Sequence, residues 1–136
     1  LTHINYAFGL FHPYDDGETT EWYMHFEQDD TNDVGSLISE FITLKEVNPG
    51  LNCYLAIGGW AFNSGETATY WSDMASTAAG RKSFAKSVLR TMQEYGFDGV
   101  DLDWEYPVSS VRGGSEGDKA NLVHLIIDLR ETLDAS

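Results

Sequence analysis

Three carboxylates alternate with apolar residues in the run Asp101-Leu102-Asp103-Trp104-Glu105, and a fourth, Asp98, stands three residues upstream. On a strand, residues two apart share one face at a separation of about 6 to 7 Å. Asp101, Asp103 and Glu105 would therefore form a ladder of acids. Like charges at that spacing in a partly dry site cannot all ionise at their ordinary pKa, so the row is expected to retain a proton at neutral pH. Pro107 bends the chain away just past Glu105, which leaves Glu105 outermost and makes it the natural general acid. Two other readings fit the bare pattern: a divalent-cation site, because hard cations take carboxylate oxygens, and a solvated edge strand. The apolar neighbours Val100, Leu102 and Trp104 argue against an exposed edge. The lack of a nearby histidine or further acid cluster weakens the metal reading, so no metal or cofactor is expected.

A strand that carries such a row needs elements to position it. Three β-like runs stand out, at residues 2–9, 51–58 and 97–105, and each precedes an amphipathic stretch. Val34, Leu37, Ile38, Phe41, Ile42 and Leu44 recur mostly at helical steps before Asn48-Pro49-Gly50 supplies stop signals. Phe84, Val88, Leu89, Met92 and Tyr95 repeat the pattern up to Gly96, and Leu122, Leu125, Ile126, Leu129 and Leu133 do so again. The order β-α-β-α-β-α implies a parallel sheet, because crossovers of this length return the chain to the same end. An open doubly wound sheet and a (β/α)8 barrel both satisfy that order. In the open sheet both faces lie under helices, and a face with three carboxylates cannot pack there. It can point into a barrel whose mouth holds water and substrate, so the α/β class expected is part of a (β/α)8 TIM barrel.

Long loops are expected at residues 10–33 and 59–77, both after strands, on the side where barrels build their sites. Residues 113–117, rich in glycine, are expected to form a mobile third loop there. Acidic residues outnumber basic ones 22 to 8, for a net charge of −14. That charge opposes nucleic acid and anionic membrane as partners, and no apolar run approaches the roughly 20 residues of a membrane span. The 136 residues are read as one unit, 1–136. Beginning at Leu1 with no basic-then-apolar leader, they suit a segment of a larger catalytic domain and contain no readable signal peptide. Cys53, the single cysteine, excludes an internal disulfide and reads as a small buried hydrophobe.

The ten residues Asp98-Gly99-Val100-Asp101-Leu102-Asp103-Trp104-Glu105-Tyr106-Pro107 resemble the Asp-x-x-Asp-x-Asp-x-Glu signature of the family 18 glycoside hydrolases, the chitinases. Leu55-Ala56-Ile57-Gly58-Gly59-Trp60 is similar to that family's Ser-x-Gly-Gly segment on the third barrel strand, and Thr2-His3-Ile4-Asn5-Tyr6-Ala7-Phe8 to its second strand. Order and spacing agree for all three, so the resemblance covers essentially the whole chain and implies about strands two to four of the barrel with their helices. The Gly59-Trp60-Ala61-Phe62-Asn63 loop is more similar to fungal members, including those related to killer-toxin subunits.

The resemblance implies hydrolysis of β-1,4-linked N-acetylglucosamine units of chitin by substrate-assisted catalysis, in a secreted enzyme. Glu105 would be the acid and then the base. Asp103 would orient the sugar's acetamido group, Asp101 would share its proton, and Asp98 would support the start of the strand. Trp60 would be a sugar platform, Phe8 part of the pocket floor and Tyr106 a sugar contact, with Tyr6, Gly58 and Gly59 beside them. Trp104 faces outward and reads as core, while Trp22, Tyr23, Tyr70 and Trp71 are either groove extensions or loop anchors. The four histidines show no ligand spacing. Ala56 replaces the usual serine and removes a hydroxyl that could bond the inner aspartate, a loss of about 1.5 to 3 kcal/mol if no water replaces it. An endo-β-N-acetylglucosaminidase acting on glycoprotein glycans would share these acids, and a non-catalytic chitin-binding lectin would share the fold. A pure binder has no need of a proton-holding acid, which argues against the lectin.

Overall fold

The computed structural model describes residues 1–27 and 33–136. Its strands are β1 (His3–Asp15), β2 (Thr20–His25), β3 (Asn52–Gly58) and β4 (Gly99–Asp103), and its helices α1 (Val34–Val47), α2 (Tyr70–Ser76), α3 (Ala78–Tyr95) and α4 (Asp118–Asp134). They form one sheet in the order β2-β1-β3-β4. The β1/β3 and β3/β4 pairs are parallel, and β1/β2 is antiparallel. The three expected strands and three expected helices are all present in the expected order. Adjacent parallel strands joined by helical crossovers are the arrangement of successive units in a (β/α)8 barrel.

Local chemistry sets the helix ends. The Asp33 carboxylate accepts the N–H groups of Gly35 and Ser36 at the start of α1, and Thr77 caps α3 by accepting from Gly80. Gly96 ends α3 at φ 85° and donates its N–H to the Met92 carbonyl, a left-handed stop that glycine adopts without strain. Arg81 and Asp128 pair at 2.7 Å and tie α3 to α4.

The core lies between the sheet and α2, α3 and α4. Phe11 is fully buried at its centre, with ring centroids 4.8 Å from Phe62 and Trp71 and 4.9 Å from Phe84. Trp71 stacks on Trp104 at 5.5 Å with planes 8° apart, so Trp104 is core, on the helix side of β4.

The loop expected at 10–33 is mostly a hairpin, in which β1 continues to Asp15 and β2 returns along it from Thr20 to His25. The turn is held by Asp15 accepting from Gly17 and by Asp16 accepting from Glu18 and Thr19, with Gly17 at φ 88°. Asp15-Asp16-Gly17 was the signal for it. Residues 28–32 of that expected loop lie outside the described residues. Nor is the second loop plain, because α2 occupies Tyr70–Ser76 within it. Trp22 and Trp71 are buried anchors and do not extend a groove. The 113–117 stretch expected to be mobile is packed: a side chain on Gly113 would meet the Ala68 carbonyl oxygen at 2.2 Å, and Ser115 is bonded to Asp118. None of the described helices is long and apolar enough to cross a membrane.

Candidate active site

The alternation in β4 separates its two faces. Val100, Leu102 and Trp104 join the core, while Asp101 is exposed and Asp103 and Glu105 are half-buried on the opposite side. The register sets Ala56 beside Asp101 and Gly58 beside Asp103, so only small side chains stand next to the acids on β3. Burial raises the Asp103 carboxyl above its ordinary value. The negative charges of Glu105 and Asp101 and a hydrogen bond shared with Glu105 push it the same way. A row whose middle member resists ionisation can store a proton and pass it along a hydrogen bond, which is the requirement of acid–base chemistry. Asp101 is the most exposed of the three acids on this face.

Phe8, Gly58, Gly59, Trp60 and Tyr106 gather at the C-terminal ends of the parallel strands. The β1/β3 register slips between Ala7 and Gly9, a bulge that leaves Phe8 outside the ladder and aims its ring toward the site. The ring lies against Gly59, where an added Cβ would come within 2.9 Å of it. Gly58 and Gly59 sit at φ 101° and 89°, and a Cβ on Gly58 would meet the Asp103 carbonyl oxygen at 2.7 Å. The two glycines thus let β3 pass close to β4, and Gly59 donates its N–H to that same Asp103 carbonyl at 2.9 Å. Trp60 and Tyr106 present their rings to solvent at 61% and 53% exposure, with centroids 6.5 Å apart. The peptides Ala7–Phe8 and Glu105–Tyr106 are cis.

Two expected members stand elsewhere. Tyr6 is on the helix side of β1, with its ring edge-on to Phe41 at 5.5 Å and to Phe26 at 6.3 Å. The reason is the strand period: Tyr6 pairs with Leu55, whose neighbour is Val100, and all three belong to or pack on the core. Asp98 lies at the other end of the sheet from Glu105. Its carboxylate takes the Cys53 N–H at 2.8 Å and the Lys45 ammonium at 2.6 Å. Burial alone would raise the Asp98 carboxyl, but the Lys45 and Cys53 bonds and the Lys45 charge outweigh it and hold it below the ordinary value. Asp98 therefore clamps α1 and β3 to the start of β4, the supporting place expected of it, apart from the acid row. A separate cleft of about 590 Å³ is lined by Phe8 and Gly58 together with Tyr6, His12 and His25, and by none of the three acids. His12 and His25, set side by side by β1 and β2, approach to 3.1 Å between Nδ1 atoms.

Three site residues were not anticipated. Asn5 donates from Nδ2 to Asp101 Oδ2 at 3.0 Å, which gives the inner acid a donor from β1 where Ala56 on β3 offers none. Asn63, fully buried, accepts the Glu105 N–H on Oδ1 at 2.8 Å. Arg112 donates from Nε to the Glu105 carbonyl at 3.1 Å and from Nη2 to the Trp60 carbonyl, with Cζ 3.8 Å from the centre of the Trp60 ring. Asn5 is 96 residues from its partner, a separation no local pattern spans.

The profile of the family described as glycosyl hydrolases family 18 matches residues 1–136. Chitinase A1 of Niallia circulans is 43% identical over 109 residues, which cover 76% of this chain and 14% of that protein. Among solved structures, a family 18 N-acetylglucosaminidase from Paenibacillus barengoltzii superposes with a TM-score of 0.72 at 39% identity, over 99% of this chain and 34% of that one. The Group IV chitinase of Ostrinia furnacalis, solved with allosamidin, gives 0.75 at 33% identity, over 98% and 33%. The chain thus spans about a third or less of the length of these relatives. With the profile matched from the first residue to the last, on a sheet that sets the Asp-x-Asp-x-Glu acids on one face, this chain belongs to glycosyl hydrolase family 18.

Proposed function

We propose that the protein carrying these residues hydrolyses β-1,4 linkages between N-acetylglucosamine units of chitin, with Glu105 as general acid and base. The observation that carries the reading is the acid row itself: Asp101 and Asp103 on β4 with Glu105 just past its end, and the Asp103 carboxyl raised by burial and by the charges of Glu105 and Asp101. Glu105 gives its proton to the glycosidic oxygen as the bond from that oxygen to the anomeric carbon breaks. The carbonyl oxygen of the sugar's own acetamido group bonds to the same carbon from the other face and forms an oxazolinium ion. Asp103, hydrogen-bonded to the acetamido N–H, aligns that oxygen and offsets the positive charge. The Glu105 carboxylate then takes a proton from water as the water oxygen bonds to the anomeric carbon and the bond from that carbon to the acetamido oxygen breaks, which restores the acetamide and leaves a product of retained configuration. No carboxylate nucleophile is needed, in contrast to ordinary retaining glycosidases. Trp60 supplies an exposed aromatic face for a pyranose ring, Phe8 closes the floor beside Gly59, and Tyr106 flanks the acid.

Support comes from relatives named chitinase and from one solved with allosamidin. Secretion follows from the same reading, because polymeric chitin is met outside the cell. The likeness to an N-acetylglucosaminidase favours a second reading, endo-β-N-acetylglucosaminidase cleavage of glycoprotein glycans by the same acids. Turnover of chitin oligomers and of a high-mannose glycopeptide by the intact protein separates the two. Glu105→Gln is expected to reduce kcat at least a hundredfold on whichever substrate is cleaved, in keeping with the usual contribution of a general acid. Unchanged turnover in that variant would remove Glu105 from the mechanism, and no turnover of either substrate by the parent would leave a binding protein as the alternative.

A further inference from the structure

The backbone of Glu105 is held at both its N–H and its carbonyl by side chains from two different loops. Asn63, from the segment after β3, accepts its N–H, and Arg112, from the segment after β4, donates to its carbonyl. The same guanidinium also donates to the Trp60 carbonyl and sits over the indole, with Cζ 3.8 Å from its centre. A guanidinium suits this position because it offers five N–H groups in a rigid planar fork and stacks on aromatic faces, whereas an ammonium is a point charge on a flexible stem. Trp60 is 61% exposed and would otherwise sample several orientations above the two positive-φ glycines that precede it.

We propose that Arg112 is a positioning residue that locks the Trp60 ring at a fixed distance from Glu105 and covers one indole face, leaving the other for a sugar ring. The inference rests on the reading of Glu105 as the acid and Trp60 as a platform. It assigns to Arg112 the coupling between a remote sugar contact and the reacting bond, the means by which binding away from the scissile linkage is spent on alignment. Specificity for longer oligomers then depends on a residue that need not touch sugar at all.

The test compares Arg112→Lys and Arg112→Gln with the parent in the intact protein, on a short chromogenic disaccharide and on a longer N-acetylglucosamine oligomer, with Glu105→Gln and Trp60→Ala as references. Arg112→Lys is expected to lower kcat/KM for the long oligomer about tenfold, with most of the loss in KM. The short substrate should change less than threefold, and Arg112→Gln should lose more than Arg112→Lys. In a Trp60→Ala background Arg112→Lys should cost nothing further in KM, because its target is gone. Equal losses on both substrates, or losses that add to those of Trp60→Ala, would overturn the coupling. If Trp60→Ala alone leaves KM for the long oligomer unchanged, the platform reading fails and takes the inference with it. If Glu105→Gln retains activity, the assignment of the acid fails instead. Should either arginine variant melt early, acrylamide quenching of the fluorescence lost in Trp60→Phe reports the platform directly. Quenching that is the same with and without Arg112 would count against the lock.

Discussion

Asp103 has a negative neighbour on each side along β4, and its pKa is set by that company as well as by burial. Burial acts first, then Glu105, then Asp101, and all three raise it. Replacing Asp101 with Asn removes one of these charges, so the Asp103 carboxyl moves back toward its ordinary value of 3.8. The acid limb of the kcat/KM profile is therefore expected to shift to lower pH in Asp101→Asn, and an acid limb that stays in place would mean that Asp103 is not the group it reports. Placing these acids on one face needed only the strand period, a property of five consecutive residues. The donors that complete the site have no such signature. Asn5 and Asp101 meet because β1 and β4 flank β3, and Arg112 reaches Trp60 because one loop folds over another. Tyr6 departs from the site for the opposite reason: the strand period, not its likeness to a motif, sets its side, and puts it with Leu55 on the helix side.

At the level of elements, the segment between β4 and α4 is organised by one buried carboxylate that sequence reading passed over. Asp118 accepts from Ser72 Oγ and Ser115 Oγ and from the N–H groups of Val108 and Ser115, so it ties α2 to the chain that leaves Glu105. Val108 stands at φ 67°, where a β-branched residue is strained, and its N–H bond to Asp118 helps to hold it there. Burial alone would raise the Asp118 carboxyl, but these donors outweigh it and hold the group below 3.8. A carboxylate whose folded-state pKa is depressed adds stability above its unfolded pKa, and that stability is lost as the pH falls through the folded value. Asp118→Ala should thus cost roughly 3 kcal/mol at neutral pH, because four donors lose a charged acceptor. The gap in melting temperature between parent and variant should narrow as the pH drops below 3.8. A gap that is constant with pH would show that packing, not charge, accounts for the loss. The helices and the parallel strands were legible because their periods are local and their stops are strong. The β1/β2 hairpin was not, since its strands read as a polar, aromatic stretch. What stabilises β2 comes from elsewhere: Ser83 and Ser87 of α3 accept the backbone N–H groups of Trp22 and Met24.

For the molecule as a whole, what these residues leave uncovered matters as much as what they bury. Among the described residues β4 ends the sheet with its outer edge unpaired, whereas the edge of β2 is met by the α3 serines. On α1, Leu37, Leu44 and Val47 are exposed, and on α4 so are Val123, Ile126 and Ile127. A bare strand edge together with apolar helix faces is a template for association. The net charge of −14 resists association at low salt, but screening shortens that repulsion to about 8 Å at physiological ionic strength, while the apolar contact is unaffected. Expressed as these 136 residues alone, the chain is expected to bind a hydrophobic dye and to elute as oligomers whose size grows with added salt. A monomer that melts cooperatively without dye binding would show that the sheet and its helices are self-sufficient. The distinction bears on catalysis, because Asp101 lies on the open face of the sheet: an acid row of this kind acts as a proton store only where further walls keep bulk water from solvating all three carboxylates at once.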